Sequence, residues 1–189
     1  QDSANYFLEQ AKALAEKLKF KKGLYLYYEQ SAIVSFTMGD YKQSLEQNDK
    51  ALAIAEELGD SSLMINLLAN SGIVYQYLGK FDTQLEKSLQ ALAMIEKGKE
   101  KRKLSSMYHN IGNAYLNLKQ YRKSLDYCLL AMKTHKQYGG NLYLNRVLAT
   151  IGQNYDYMKM KDSALFYYER AVTESVKQND QYAEAAIYG

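Results

Sequence analysis

The chain has 189 residues, a net charge of +3, no proline and one cysteine, while tyrosine alone supplies 19 residues. The absence of proline removes the strongest helix breaker, so the composition favours helices joined by short turns. The single cysteine, Cys128, excludes an internal disulfide framework and a cysteine-based zinc site. The small positive charge falls short of a nucleic-acid-binding surface, and no apolar run reaches the roughly 18 residues needed to cross a bilayer.

The sequence repeats with a period of 40 residues. A fixed period between about 20 and 50 residues is typical of solenoids, in which each unit buries its apolar face against the next unit. The residues that recur are Leu45, Leu85, Leu125 and Leu165; Ala51, Ala91, Ala131 and Ala171; Gly72, Gly112 and Gly152; and Tyr75, Tyr115 and Tyr155. The period therefore predicts an all-α array of antiparallel helix pairs.

In chain order, residues 1–19 are predicted to be the second helix of a partial repeat. Four full repeats follow, and residues 182–189 are predicted to start a truncated one. The full repeats are predicted at 22–58, 62–97, 102–137 and 142–177. Because the array begins and ends inside a repeat, we expect a fragment of a longer protein.

Glycine and acidic residues predict where the helices end and begin. Gly39-Asp40 separates the two helices of the first repeat, and Gln43 follows Asp40 by three residues, which is the spacing of a capping box. Gly59-Asp60 predicts a helix stop followed by a helix cap. Small residues at Gly112 and Ala131 are expected to let helices cross closely, so a bulky residue at Ala131 should overpack the core.

No catalytic motif is present. The two histidines, His109 and His135, belong to no metal-binding or nucleophile motif. Cys128 falls on the inward stripe of its helix, where a buried and inert thiol is the better interpretation. Acidic residues are scattered rather than paired, so we expect no catalytic residues, no cofactor and no metal.

Two segments of repeat three, YHNIGNAY and SLDYCLLA, resemble the signature of the tetratricopeptide repeat, as do LATIGQNY and ALFYYERA in repeat four and, more loosely, LANSGIVY in repeat two. The usual closing proline is missing, and the period is 40 rather than about 34 residues. The longer period looks like that of the extended repeats in bacterial signalling proteins, including peptide-sensing regulators and sensor regions of two-component kinases.

The resemblance implies a right-handed superhelix whose first helices line a concave groove. Asparagine is a poor helix former, yet amides that can both donate and accept hydrogen bonds recur at the groove positions. The alternative is that these amides form a hydrated face or bond to the neighbouring helix. The predicted ligand-binding residues are Asn66, Asn70, Tyr77, His109, Asn110, Asn113, Asn117, Arg146, Gln153, Asp156 and Tyr157.

These observations predict a non-enzymatic scaffold that binds a peptide or protein segment. The resemblance implies a sensor or interaction segment of a larger bacterial signal-transduction protein, with an extracytoplasmic (periplasmic) location preferred over a cytoplasmic one. We expect no nucleic-acid partner and no membrane span. A structural assembly element is the alternative, in which end helices carrying Phe7 and Leu8, or the convex face, drive homo-oligomerisation.

Overall fold

The computed structural model describes residues 2–139 and 143–188, with side chains described for residues 6–139 and 143–177. All regular secondary structure in this part of the chain is helical, which confirms the predicted all-α class. The chain divides into two compact units, Gln1–Lys99 (unit 1) and Glu100–Gly189 (unit 2). The predicted single array over residues 1–189 stays a prediction.

Unit 1 is built from consecutive helices joined by turns of about three residues. Its helices are α1 (Asp2–Lys17), α2 (Lys21–Thr37), α3 (Tyr41–Glu57), α4 (Ser61–Tyr77) and α5 (Phe81–Lys97). Such short turns between long helices reverse the chain direction and place consecutive helices side by side. The pairs α2–α3 and α4–α5 lie where the first two repeats are predicted, and α1 lies where the partial repeat is predicted; the repeat bounds stay predictions.

Unit 2 begins with a 3₁₀ turn at Lys101–Lys103 and has the same alternation of helices. Its helices are α6 (Leu104–Asn117), α7 (Tyr121–Tyr138), α8 (Leu144–Tyr157) and α9 (Lys161–Tyr188). The predicted start of repeat four at residue 142 lies outside the described residues. Helix α9 continues without interruption to Tyr188 and includes most of the segment, residues 182–189, that is predicted to start a truncated repeat. None of the described helices is both long and apolar enough to cross a membrane.

The turns follow the chemistry predicted from the sequence. The Asp40 carboxylate accepts a hydrogen bond from the Gln43 backbone N–H at 2.9 Å, and the Asp60 carboxylate caps α4 by accepting from Ser62 and Leu63. Gly39 has a φ of +80°, a left-handed conformation that a residue without a Cβ adopts at little cost. The predicted helix caps at Asp40 and Asp60 are therefore confirmed.

The repeated small residues form the packing layers of both units. Ala51, Ala91 and Ala131 are completely buried, and Ala171 is 8% exposed. In unit 1 Ala51 packs in a cluster with Tyr25 and Leu67. In unit 2 the corresponding cluster joins Ala131 to Cys128, Val147 and Ile151. The predicted role of these alanines in close helix packing is confirmed.

Candidate functional site

The predicted ligand-binding residues lie on the first helices of three helix pairs, which are α4 in unit 1 and α6 and α8 in unit 2. On α4, Asn66 is exposed, Asn70 is half-buried and Tyr77 is 61% exposed. We use the name amide face for the predicted polar residues of unit 2 that reach the surface of α6 and α8. The amide face comprises Asn110, Asn113 and Asn117, which are half-buried, and Arg146, Gln153 and Asp156, which are exposed.

His109 does not lie at this surface, because its side chain is only 9% exposed. Its Nε2 is 3.3 Å from the Thr150 hydroxyl of α8 and 3.3 Å from the Asn113 amide nitrogen. With the ring proton on Nδ1, Nε2 accepts a hydrogen bond from the Asn113 amide group. The sequence predicted His109 as a groove residue, whereas the structure makes it a link between α6 and α8.

The charge state of His109 follows from this burial. Burial, and to a smaller extent the positive charge of the nearby Arg146 guanidinium, together lower the pKa of His109 to about 4. Both effects disfavour the charged imidazolium, because it is removed from water and placed near a cation. The ring is therefore neutral at pH 7, which keeps Nε2 available as an acceptor.

Asn113 is held at both ends of its side-chain amide. Its Nδ2 donates to His109, and its Oδ1 is 3.2 Å from the Thr150 hydroxyl, whose single proton is shared with the Arg146 carbonyl oxygen at 3.0 Å. This agrees with the alternative that a groove amide bonds to the neighbouring helix. The half-buried side chain is thereby fixed in one orientation while part of it still reaches solvent. A fixed amide loses little conformational freedom when it binds a ligand.

The two predicted tyrosines pack against aromatic rings of preceding helices. In unit 1 Tyr77 makes an edge contact with Phe36, with ring centroids 5.0 Å apart, and lies 5.7 Å from Tyr41. In unit 2 Tyr157 stacks on Tyr121 at 4.9 Å. These contacts orient both rings, although more than half of each side chain remains exposed.

Sequence reasoning missed a cavity of about 120 Å³ in unit 1. It lies between α2, α3 and α4, and its lining includes Ile33, Ile73 and the buried Asn48. A signal was available, because Asn48 occupies the place where the other repeats have Ser88, Cys128 and Tyr168. An amide at a position where the other repeats have serine, cysteine or tyrosine marks a local change in packing.

The described residues contain no arrangement suited to catalysis by metal or thiol. No group of three His, Cys, Asp or Glu side chains in this part of the chain is placed to hold a metal ion. Cys128 is completely buried, and burial raises the pKa of its thiol to about 12. A protonated, buried thiol is a poor nucleophile. This agrees with the inert packing role predicted for Cys128.

Comparison with known proteins identifies the repeat. Residues 103–173 match the model of the tetratricopeptide repeat. The tetratricopeptide resemblance seen in the sequence is thus confirmed. No curated protein gives a significant match.

Solved structures of repeat proteins share the fold. The apo form of RapI has 18% identity and a TM-score of 0.83, covering 97% of this chain and 67% of that one. A Rap protein complexed with Competence and Sporulation Factor has 15% identity and a TM-score of 0.75, covering 92% of this chain and 49% of that one. A putative kinesin light chain with TPR-like repeats from Podospora anserina has 14% identity and a TM-score of 0.72, covering 95% and 88%. These likenesses confirm a tetratricopeptide-like helical solenoid.

Proposed function

We propose that this chain is a non-enzymatic scaffold that binds an extended peptide through the amide face of unit 2. Tetratricopeptide folds serve as protein-interaction scaffolds, because stacked helix pairs offer a long surface for binding. The observation that carries the proposal is the row of Asn110, Asn113 and Asn117 on α6. Its central member is fixed by His109 and Thr150.

The chemistry of the amide face suits a peptide backbone. An extended peptide presents alternating N–H and C=O groups, and each asparagine side chain offers both a donor and an acceptor. Arg146 and Asp156 on α8 are exposed charges of opposite sign that would bind charged groups of the ligand. One similar structure is that of a Rap protein complexed with Competence and Sporulation Factor, which supports peptide binding as the use of this fold.

We further infer that the scaffold is the sensor or interaction segment of a larger bacterial signal-transduction protein, such as a two-component sensor kinase or a regulator. The support is the period of 40 residues, which resembles the extended repeats of such proteins. The complete coding sequence tests this inference. A kinase, transmitter or DNA-binding domain joined to these repeats would support it, and a coding sequence with repeats alone would contradict it.

Peptide binding is tested by selecting from a random peptide display library on the purified chain and measuring the affinity of the enriched peptides by calorimetry. Asn110→Ala and Asn113→Ala should each weaken binding about ten-fold or more, because loss of one or two hydrogen bonds costs on the order of 1–3 kcal/mol. Gln90→Ala is the matched control, since Gln90 is an exposed amide that donates to Glu86 on α5. A library that yields no binder, or affinities insensitive to both asparagine changes, would refute the proposal.

Assembly is the second candidate function, and a specific observation favours it. Helix α1 exposes 68% of Phe7 and 57% of Leu14, and the turn that follows it exposes 64% of Leu18. An apolar hollow of about 300 Å³ lies between α1 and α2. Exposed apolar patches of this kind mark interaction surfaces. If light scattering shows a dimer that Phe7→Glu and Leu14→Glu convert to a monomer, and no peptide binds, assembly replaces peptide binding as the function.

A further inference from the structure

The cavity of unit 1 opens to solvent at the surface formed by α2 and α4, the first helices of the two pairs. Among its lining residues, Ile33 of α2 and Ile73 of α4 are 44% and 37% exposed. The deeper lining residues Asn48 and Val74 are 2% and 4% exposed. The cavity of about 120 Å³ is therefore entered between two isoleucines and reaches a buried amide.

Residues 80 positions apart in the sequence occupy equivalent places in units 1 and 2, and one such pair explains why unit 1 has a cavity here. In unit 2 Asn154 of α8 donates to the Ser124 hydroxyl of α7 at 2.8 Å. The unit 1 residues at these positions are Val74 and Ser44. Valine has no donor to reach the serine, and Ser44 donates instead to the Ala32 carbonyl at 2.8 Å. The contact between these two positions is thus missing in unit 1, where α3 and α4 are joined by the amide of Asn48 instead.

Asn48 gives the cavity its polar character. Its Nδ2 donates to the Leu67 carbonyl at 2.9 Å and to the Ser71 hydroxyl at 2.5 Å. The Leu67 carbonyl can only accept, so this contact fixes which end of the Asn48 amide is nitrogen. Both amide hydrogens are then used, while Oδ1 is buried and has no donor among the described residues. A buried acceptor without a donor is unfavourable, and a ligand that supplies one relieves the penalty.

The size of the cavity limits its occupant to one ring or one branched side chain. A protein cavity of about 150 Å³ is known to admit benzene, and a cavity of about 120 Å³ with an open mouth accommodates a single six-membered ring. The Phe36 ring and the two isoleucines supply the apolar walls. Binding pockets typically combine such walls with a few polar groups that set specificity.

We propose that this cavity binds one tyrosine side chain of a peptide, with the ring between Ile33 and Ile73 and the phenol hydroxyl donating to Asn48 Oδ1. The phenol is apolar along its length and ends in a donor, and a buried tyrosine hydroxyl normally finds such a partner. The proposal rests on peptide binding as the function of the chain and adds a preferred residue type to it.

The test uses 4-methylphenol and toluene, which are the tyrosine and phenylalanine side chains without their backbone. Each is titrated into the chain labelled at the isoleucine δ1 methyl groups, and chemical shifts are followed by NMR. We expect 4-methylphenol to shift the Ile33 and Ile73 methyls and to bind at least ten-fold more tightly than toluene. The Ile111 and Ile151 methyls of unit 2 should not move.

Three results would overturn the proposal: no binding of either compound, equal affinities for both, or shifts of equal size at the unit 2 methyls. Asn48→Ser introduces the residue that α5 has at the equivalent position, Ser88, and should lower the affinity for 4-methylphenol about ten-fold without changing that for toluene. An unchanged phenol affinity in this variant would also overturn the proposal.

A second variant guards against misfolding of Asn48→Ser. Ile73→Gln introduces the residue that unit 2 has at the corresponding position, Gln153, on a side chain that is 37% exposed. It should weaken both compounds, and unchanged binding would contradict the assigned location. Because these measurements use side-chain analogues and unit 1 methyls, their failure leaves peptide binding by the amide face intact. Loss of peptide binding would equally leave the cavity result standing.

Discussion

Units 1 and 2 repeat one helical plan but present different chemistry on their first helices. At one pair of equivalent positions unit 1 has Ile33 and Ile73, where unit 2 has Asn113 and Gln153. Unit 1 has a cavity with apolar walls beneath these residues, while unit 2 has an amide held by a buried histidine. The shared residues therefore specify the fold, and the residues that differ between repeats give each unit its own binding chemistry.

Protonation of His109 should cause the largest change in the free energy of unfolding. This change is specific to unit 2, because unit 1 has Glu29 and Ala69 at the equivalent positions. The pKa of about 4 in the folded state lies below the ordinary value of 6.5, so the unfolded chain binds more protons between these pH values. The stabilisation from neutral His109 is complete above about pH 6.5 and is lost as the pH falls toward 4, amounting to about 3 kcal/mol.

Urea unfolding at pH 7 and pH 4.5 measures this contribution. His109→Gln keeps a side chain that can hydrogen-bond but cannot titrate, so the variant should lose less stability on acidification than the wild-type chain does. Carboxylates that titrate in the same range are common to both proteins and cancel in the comparison. An identical pH dependence in the two proteins would show that His109 is not buried as the structure describes.

Replacing Gly112 of unit 2 or the equivalent Gly72 of unit 1 by alanine should change the stability of the chain differently. A Cβ at Gly112 would lie 2.7 Å from Cys128 Sγ and 3.3 Å from the Ser124 carbonyl oxygen, whereas a Cβ at Gly72 would lie 3.4 Å from Ser88 Oγ. Gly112→Ala should therefore destabilise the chain by about 1–3 kcal/mol through overpacking. Gly72→Ala should be neutral or stabilise by up to about 1 kcal/mol, because alanine favours the helix.

Thermal and urea unfolding of the two alanine variants checks this difference. Equal effects would show that the helices cross at the same distance in both units. The first repeat offers a natural precedent for tolerance, since Ala32 occupies the equivalent position there and is 5% exposed.

The turns between paired helices should give the smallest effect. Gly79 has a φ of +69° in unit 1, whereas Lys119 adopts a φ of +59° at the equivalent position in unit 2. A left-handed conformation is unfavourable for a residue with a Cβ, so Lys119→Gly should stabilise the chain by about 0.5–1 kcal/mol. The reverse change, Gly79→Lys, should destabilise by a similar amount in urea unfolding. A loss of stability in Lys119→Gly would indicate that the lysine side chain makes a compensating contact.

Local features of the sequence were sufficient to predict many of the helix boundaries and buried positions. Asp40 and Asp60 predicted helix starts because a side-chain carboxylate satisfies backbone N–H groups within three residues, and the structure has these bonds. The burial of Ala131 followed from its recurrence every 40 residues. Helix α9 runs past residue 182, where the sequence predicts the start of another repeat, because the sequence has no residue there that stops the helix.

The candidate site was predicted less completely. The sequence placed Asn113 and His109 on one face of α6 by their spacing of four residues, and both do contact the same hydroxyl of Thr150. Spacing could not show that His109 points inward while Asn113 reaches the surface, since that depends on where α8 crosses α6. The cavity beneath Ile33 and Ile73 was missed for the same reason, because the walls come from three helices.

The sequence alone determined the helices, their turns and the small residues at their crossings, because these depend on contacts within a few residues or on a motif repeated along the chain. Only the tertiary structure decided which polar residues are buried. Asn48 has a buried oxygen without a donor, and His109 is an uncharged ring that contacts the next helix pair. Both states depend on groups that are 19 and 41 residues away in the sequence. Hydrogen bonds and cavities form between neighbouring helices, and their geometry is fixed only when those helices pack.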